Sequence, residues 1–297
     1  MRTIQVRAPA KLNLFLDILG LRPDGYHDLE MLMQAVSLCD DIEITLDTFK
    51  ERQIICVTPE GDPIPEIPCD SRNLAWRAAD LFYSAGGFPD NGLTIRIVKR
   101  IPAQAGLAGG SADAAAVLRG LKELCRDWNP PSPGPLAEQC GSDVPFCLHG
   151  GTAWVLGRGE IVQPIEFSAL LHYVIVKPPF GVSTPALFKA FDQNASEPRP
   201  DKERRMSDAQ RLLSCLRAGD PSHIGPLLRN ALEPVASQFH PEILQIREAL
   251  LALGACGARM TGSGSAVFGL FPDEDSARRA CEALKGGENA VFYAHSL

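Results

Sequence analysis

Apolar and polar residues alternate strictly in several stretches of the first hundred positions, and a period of two is the mark of a strand. In Leu12-Asn13-Leu14-Phe15-Leu16-Asp17-Ile18 four aliphatics alternate with Asn13, Phe15 and Asp17. The same alternation runs through Ile42-Glu43-Ile44-Thr45-Leu46 and Leu93-Thr94-Ile95-Arg96-Ile97. It also sets Lys11 and Asn13 on one face, opposite Leu12 and Leu14, so a packed strand holds that lysine and asparagine side by side.

Helical spacing then takes over. Leu74, Ala78, Leu81 and Phe82 predict a helix from Asn73 to Ala85, stopped by Gly86-Gly87. Ser111 to Cys125 is rich in alanine and leucine, with Gly120 as its one weak point, and a Pro/Ser/Gly knot from Asn129 to Pro135 separates it from a short helix ending near Cys140. Further along, strand-like pieces fall at 152–156, 161–164 and 173–177, with a helix at 185–191. A polar, proline-containing insert runs through Asn194–Lys202. Helices follow at 208–217 and 241–253, then a strand at 266–270, a helix at 273–284 and a strand at 290–294. The alternation, with a break in composition near residue 155, predicts two α+β domains and no internal repeat.

Composition narrows the function. The 297 residues are 45% apolar and 22% charged, which suits a globular chain with a real core, and the net charge of −7 comes without a long basic run. The one positive cluster, Lys202 to Arg205, is interleaved with acid and reads as a solvated loop, so no nucleic-acid partner is expected. Nine cysteines include no Cys-x-x-Cys pair and no histidines at matching spacing; they read as reduced thiols in a cytoplasmic protein, and no metal-ligand set is assigned. The start, Met1-Arg2-Thr3-Ile4-Gln5-Val6, runs into strand-like sequence without a signal-peptide core, and no window of 18 apolar residues would span a membrane.

The sharpest chemical signal is Ile101-Pro102-Ala103-Gln104-Ala105-Gly106-Leu107-Ala108-Gly109-Gly110-Ser111-Ala112-Asp113, between a strand and a helix. A small-residue loop opening a helix turns backbone N–H groups and the helix dipole toward an anion. It is not a Walker A loop, since no lysine follows Gly110, and it lacks the Gly-x-Gly-x-x-Gly of a dinucleotide site. A lone glycine pair would be no more than a tight helix start; the length and context of this run favour phosphate binding. Elsewhere, Gly141-Ser142-Asp143-Val144-Pro145-Phe146 places an acid in apolar company, which is costly unless it caps a helix or meets a cation. Alone, Asp143 reads as a turn residue, Lys11 as a surface lysine, and Tyr26-His27 after Asp24-Gly25 as a turn into the next strand.

Three separated blocks together resemble the GHMP kinase superfamily: Ala8-Pro9-Ala10-Lys11-Leu12-Asn13-Leu14-Phe15-Leu16, the 101–115 loop, and Thr261-Gly262-Ser263-Gly264-Ser265-Ala266-Val267-Phe268. The first continues as Arg22-Pro23-Asp24-Gly25-Tyr26-His27-Asp28-Leu29, which is similar to the branch that acts on a cytidine diphosphate-linked polyol of the non-mevalonate isoprenoid pathway. The order of the blocks covers nearly the whole chain. The resemblance implies transfer of the ATP γ-phosphoryl group to the 2-hydroxyl of a methylerythritol moiety, with Mg²⁺ held largely by phosphates and water.

On these positions it implies that Asp143 accepts the hydroxyl proton with Lys11 beside it, that Asn13 contacts the polyol, and that Tyr26, His27 and Phe188 line a cytidine pocket. Asn73 and Lys99 would lie near the adenine nucleotide, and the phosphates on the loop from Pro102 through Asp113. The fold implied is α+β in two domains: residues 1–155 like domain 2 of ribosomal protein S5, with a left-handed β-α-β feature, and residues 156–297 ferredoxin-like, with the last strand returning to the first domain. The cleft lies between them, in a monomer or homodimer. Two departures stand out. Relatives often carry glycine in place of Ala108 and serine in place of Ala112, and the second change removes a hydroxyl donor.

Two alternatives remain at this point. A homoserine or mevalonate kinase type shares the loop but not the Arg22–Leu29 block, and its Mg²⁺-binding glutamate has no convincing equivalent here. A non-catalytic nucleotide-binding regulator would keep the glycines and lose Lys11 or Asp143, both of which are present.

Overall fold

In the computed structural model, residues 1–47, 51–87, 92–167, 169–193 and 202–297 are described, the side chains of 202–207 excepted. The core of the first half is a long hairpin, β1 (Arg2–Leu21) against β2 (His27–Leu46), paired from Arg2–Leu46 to Leu21–His27. These strands run well past the 12–18 and 42–46 segments legible in the sequence. The reason is burial on both faces. From Ala8 to Ile18 every residue but Pro9 is buried, and Met31 to Val36 likewise, so no alternation marks the strand there. A register shift between Asn13 and Phe15 further breaks the period and lets Leu14 and Phe15 both lie inside.

The free edge of β2 pairs antiparallel with β4 (Leu93–Val98) through Asp41–Leu46 and with β5 (Thr152–Gly157) through Leu29–Gln34. β3 (Gln53–Val57) lies parallel to β4, and β6 (Ile161–Ile165) folds back on β5, so the first sheet extends past residue 155 to Ile165. β7 (His172–Lys177) belongs to a second, four-stranded antiparallel sheet. β8 (Arg229–Asn230) goes back to the first, parallel to β1. β9 (Gly257–Met260), β10 (Val267–Phe271) and β11 (Ala290–His295) complete the second sheet in the order β11-β7-β10-β9. The final strand therefore stays in the second sheet. What returns to the first is the tail beyond it, where Ser296 bridges Val36 and the Leu297 amide donates to the Ala35 carbonyl at 3.0 Å.

Helices α1 (Leu74–Gly86) and α2 (Gly109–Leu124) pack on each other, and α2 also lies on the first sheet. The weak point of α2 has a packing cause: a Cβ on Gly120 would sit 2.4 Å from the Ile44 side chain and 3.2 Å from Val6, so the helix meets the sheet through that glycine. α3 (Pro133–Cys140) and α4 (Val144–His149) follow; α4, too short for a periodic signal, starts directly after Asp143. The second half adds α5 (Thr184–Gln193), α6 (Lys202–Ala218), α7 (Pro221–Ile224), α8 (Glu233–Phe239), α9 (Glu242–Ala252) and α10 (Glu274–Ala283). The polar insert at 194–201 lies outside the described residues, and Lys202 is the first residue of α6. Among the described residues no helix is long and apolar enough to cross a membrane, and all nine cysteines are unpaired.

Candidate active site

Strand β1, the 101–108 loop and the turn after β9 converge on one point. The Lys11 amide donates to the Leu107 carbonyl at 3.2 Å, and the Asn13 amide donates to Thr261 Oγ1 at 3.0 Å. The loop then lies against the segment after Thr261, with Ser265 N donating to Gln104 O at 3.4 Å and Ala266 N to Ala105 O at 3.2 Å. At the crossing the backbones touch: Gly106 has φ +73, and a Cβ there would lie 2.1 Å from the Thr261 carbonyl oxygen. Only glycine fits both the torsion and the gap. Asn230 secures the turn from below, its Nδ2 donating to the carbonyls of Met260 (2.7 Å) and Gly262 (2.8 Å).

Within this frame Lys11 is 3% exposed; its Nζ donates to Asn13 Oδ1 at 2.5 Å and lies 4.0 Å from Asp143 Oδ2. The side-by-side lysine and asparagine expected from period two are present, and the tertiary fold adds the acid. Asn13 Nδ2 is buried without an acceptor among the described residues, and Asn13 lines the cleft. Asp143 keeps a third of its side chain exposed, so its carboxylate reaches the cleft while its carbonyl accepts from Cys147 N in the first turn of α4.

The glycine-rich end of the cleft is built on α2. Its N-cap is Ala108 at φ 58, with no side-chain hydrogen bond, and the first intrahelical bond is Ala112 N to Ala108 O. The amides of Gly109, Gly110 and Ser111 therefore open on the cleft, as an anion-binding helix start requires. Ala108 occupies a left-handed position that glycine would hold without strain, the physical counterpart of the departure seen in the sequence. Ala112 does not line the cleft; it is buried in the core, 1% exposed.

Lys99 and Asp113 line the cleft but are engaged with one another. Lys99 Nζ donates to Asp40 Oδ2 at 2.5 Å and to Asp113 Oδ2 at 2.7 Å, and Asp40 Oδ1 accepts from the amides of Arg100 (2.5 Å) and Ile101 (2.8 Å). Two buried acids share one lysine, and burial pushes the Asp113 carboxyl up to about 7 against the opposing pull of Lys99. The triad fixes the entry to the loop at Arg100–Ile101 and the first turn of α2 together. Asp40 carried no sequence signal, since it lies in an unpatterned part of β2. Asn73 is likewise at the cleft, yet its side chain caps α1 by accepting from Ala75 N (2.9 Å) and holds Pro68 O through Nδ2 (2.8 Å).

At the opposite end, His27 stacks on Phe188 of α5 with ring centroids 4.8 Å apart, and its Nε2 meets Asp192 Oδ1 at 2.8 Å. Tyr26 is 55% exposed, its ring beneath the Arg158 guanidinium. α5 is fastened to the third sequence block by the Thr184–Ser263 hydroxyl pair at 2.6 Å. One continuous cleft of about 1260 Å³ takes in all of these groups, from Asn73 and Lys99 through Lys11 and Asp143 to Tyr26, His27 and Phe188. That is larger than an ordinary single-ligand pocket and leaves room for two ligands meeting at the lysine–acid pair. Arg158, Thr184 and Asp192 join it without having been legible in the sequence.

A glycine-lined helix start over a mixed sheet, joined by a cleft to an antiparallel α/β sandwich, is the construction of the GHMP kinases. Residues 73–151 match the GHMP kinases N terminal domain and residues 212–289 the GHMP kinases C terminal family. The chain is 45% identical over 293 residues to the 4-diphosphocytidyl-2-C-methyl-D-erythritol kinase of Pelotomaculum thermopropionicum, covering 97% of this chain and 96% of that one. A crystal structure of a 4-(cytidine 5'-diphospho)-2C-methyl-D-erythritol kinase superposes with a TM-score of 0.80 at 35% identity, covering 99% of both chains. A homoserine kinase from Cytophaga hutchinsonii, at 21% identity and a TM-score of 0.75 over 100% of this chain and 95% of that one, shares the fold. The chain belongs to the 4-diphosphocytidyl-2-C-methyl-D-erythritol kinase family.

Proposed function

We propose that the chain transfers the γ-phosphoryl group of ATP to the 2-hydroxyl of 4-(cytidine 5'-diphospho)-2-C-methyl-D-erythritol in non-mevalonate isoprenoid precursor synthesis. The observation that carries this reading is the position of Lys11, Asn13 and Asp143. They sit between an uncapped helix start and an aromatic pocket, inside one cleft. The acceptor hydroxyl oxygen attacks the γ-phosphorus as the bond to the β-phosphate oxygen breaks; ADP leaves with that electron pair, and the hydroxyl proton passes to the Asp143 carboxylate. Lys11 stabilises charge on the attacking oxygen, and Asn13 Nδ2 is left to donate to the polyol.

The amides of Gly109, Gly110 and Ser111 hold the phosphates, with the stretch from Pro102 to Leu107 lining their approach. Lys99 and Asp113 shape that loop from beneath, and Asn73 borders the adenine end. Tyr26, His27 and Phe188 take the cytosine ring. Mg²⁺ supplies charge neutralisation on the transferring phosphates. The ion would be held by the phosphate oxygens and water. Unpaired thiols throughout fit a cytoplasmic enzyme with small-molecule partners, working as a monomer or homodimer.

The test is steady-state turnover with a panel of acceptors, in wild type and Asp143→Asn. Turnover with the cytidine compound alone, and a kcat lowered by roughly 10²–10⁴ in the variant with the ATP KM nearly unchanged, is the expected outcome. Phosphorylation of homoserine or mevalonate instead would remove the acceptor from the reading. A parallel loss of ATP binding would make Asp143 a structural residue.

A further inference from the structure

The hairpin turn between β5 and β6 carries a cation that the reaction above does not use. Arg158 lines the cleft, is only partly exposed, and sits over the Tyr26 ring at 4.9 Å. Its Nε is buried without a hydrogen-bond acceptor, and no carboxylate lies within 4.0 Å of the guanidinium among the described residues. The other buried or half-engaged cations of the cleft are matched: Lys11 with Asp143, Lys99 with Asp40 and Asp113, Arg72 with Asp70 at 2.7 Å. Lys189 also lacks a carboxylate among the described residues, but it is exposed to solvent. Asp24, held below the usual carboxylate range first by the Tyr26 amide, feels Arg158 only as the weakest of its influences. A half-buried guanidinium with an unmet donor is a cost that an anionic ligand would remove.

The turn that presents it is a built feature. Arg158 N donates to Glu160 Oε2 at 2.5 Å and Gly159 N to Leu156 O at 3.2 Å. Gly159, at φ +121, lies so close to Ser142 that a Cβ would be 2.4 Å from its carbonyl oxygen. The turn thus rests on the residue before Asp143, while the Arg158 side chain reaches Tyr26. It spans the interval between the aromatic pocket and the acid.

We infer that Arg158 binds the diphosphate of the acceptor, and so selects a nucleoside-diphosphate-linked alcohol over a plain one. The inference rests on the acceptor proposed above, in which the diphosphate is the middle of the molecule, between the base and the polyol. A planar guanidinium offers phosphate oxygens two parallel N–H donors, a geometry that the Lys11 ammonium does not provide.

Cytidine and CDP separate this from its rivals, with ATP as the third probe, each titrated calorimetrically against wild type, Arg158→Gln and Arg158→Lys. Arg158→Gln should weaken CDP by about 10–100-fold, the range of a lost charge-assisted hydrogen bond, and leave cytidine and ATP within about twofold. Arg158→Lys should recover part of the CDP affinity. With the full acceptor, KM should rise in Arg158→Gln while kcat at saturation stays near wild type. Equal losses for CDP and cytidine would overturn the inference, since Arg158 would then act only by holding Tyr26. A loss confined to ATP would assign the guanidinium to the nucleotide, and unchanged CDP affinity would leave it no ligand role. Wild-type protein that binds neither CDP nor cytidine would sink the acceptor reading itself, an outcome visible before any variant is made.

Discussion

Gly106→Ala tests whether the contact between the phosphate loop and the Thr261 turn sets both stability and nucleotide binding. The new methyl would lie 2.1 Å from the Thr261 carbonyl oxygen and 3.1 Å from its carbon, both backbone atoms that cannot rotate away. The two segments must therefore part by roughly 1 Å, as in other overpacked sites. Parting stretches the bonds that lie across the junction: Ala266 N to Ala105 O (3.2 Å), Ser265 N to Gln104 O (3.4 Å) and Thr261 Oγ1 to Gly106 O (3.4 Å). The left-handed torsion costs alanine about 1–2 kcal/mol and overpacking about 1–3 kcal/mol, so a loss of roughly 2–5 kcal/mol is expected. In a chain of this size that lowers Tm by about 3–8 °C. Thermal unfolding with and without MgATP reads both effects, and the nucleotide-induced rise in Tm should shrink because the loop has moved. Gly134→Ala, inside α3 with open space around it, is the control and should leave Tm level or slightly higher. A Gly106→Ala protein that melts with wild type and binds ATP equally well would refute the account of this junction.

Two further outcomes follow from the same region. Ala108→Gly relieves a left-handed torsion at the start of α2 and should raise stability by about 0.5–1 kcal/mol in denaturant unfolding, with ATP affinity kept or improved; a destabilised protein would mean that the Ala108 methyl is a packing contact. Asp113 has its folded pKa raised above the unfolded 3.8, so the native state holds a proton that the unfolded chain gives up, and its contribution to stability falls as pH rises from about 4 to about 7. The stability of Asp113→Asn relative to wild type should therefore improve across that window, by at most about 1.4 kcal/mol per pH unit, and a pH-independent difference would contradict the burial-raised Asp113 carboxyl.

Local pattern determined a good part of this protein. The helix beginning near Asn73 and the strand, loop and helix order around 101–113 were readable because each signal lies within a few residues. So was the pairing of Lys11 with Asn13, since period two needs no partner to be recognised. The motif blocks named the superfamily for a similar reason: an anion-binding helix start is a local device, and its small residues are required wherever it occurs.

Other features were decided only when the chain closed. The middle of β2, Met31 to Val36, was invisible because a strand buried on both faces loses its alternation, and α4 is too short to show a period. Asp40 looked like any acid until Lys99 and Asp113 enclosed it. The packing of Gly106 on Thr261, with Thr261 Oγ1 donating to Gly106 O at 3.4 Å, joins positions 155 residues apart in the chain, and the Asn13–Thr261 bond spans 248. Arg158 gained a meaning only when its turn settled on Ser142 and set the guanidinium over Tyr26. Sequence spacing carries the geometry of neighbours along the chain; which acid meets which lysine, and which cation is left without one, depends on segments that become neighbours through burial alone.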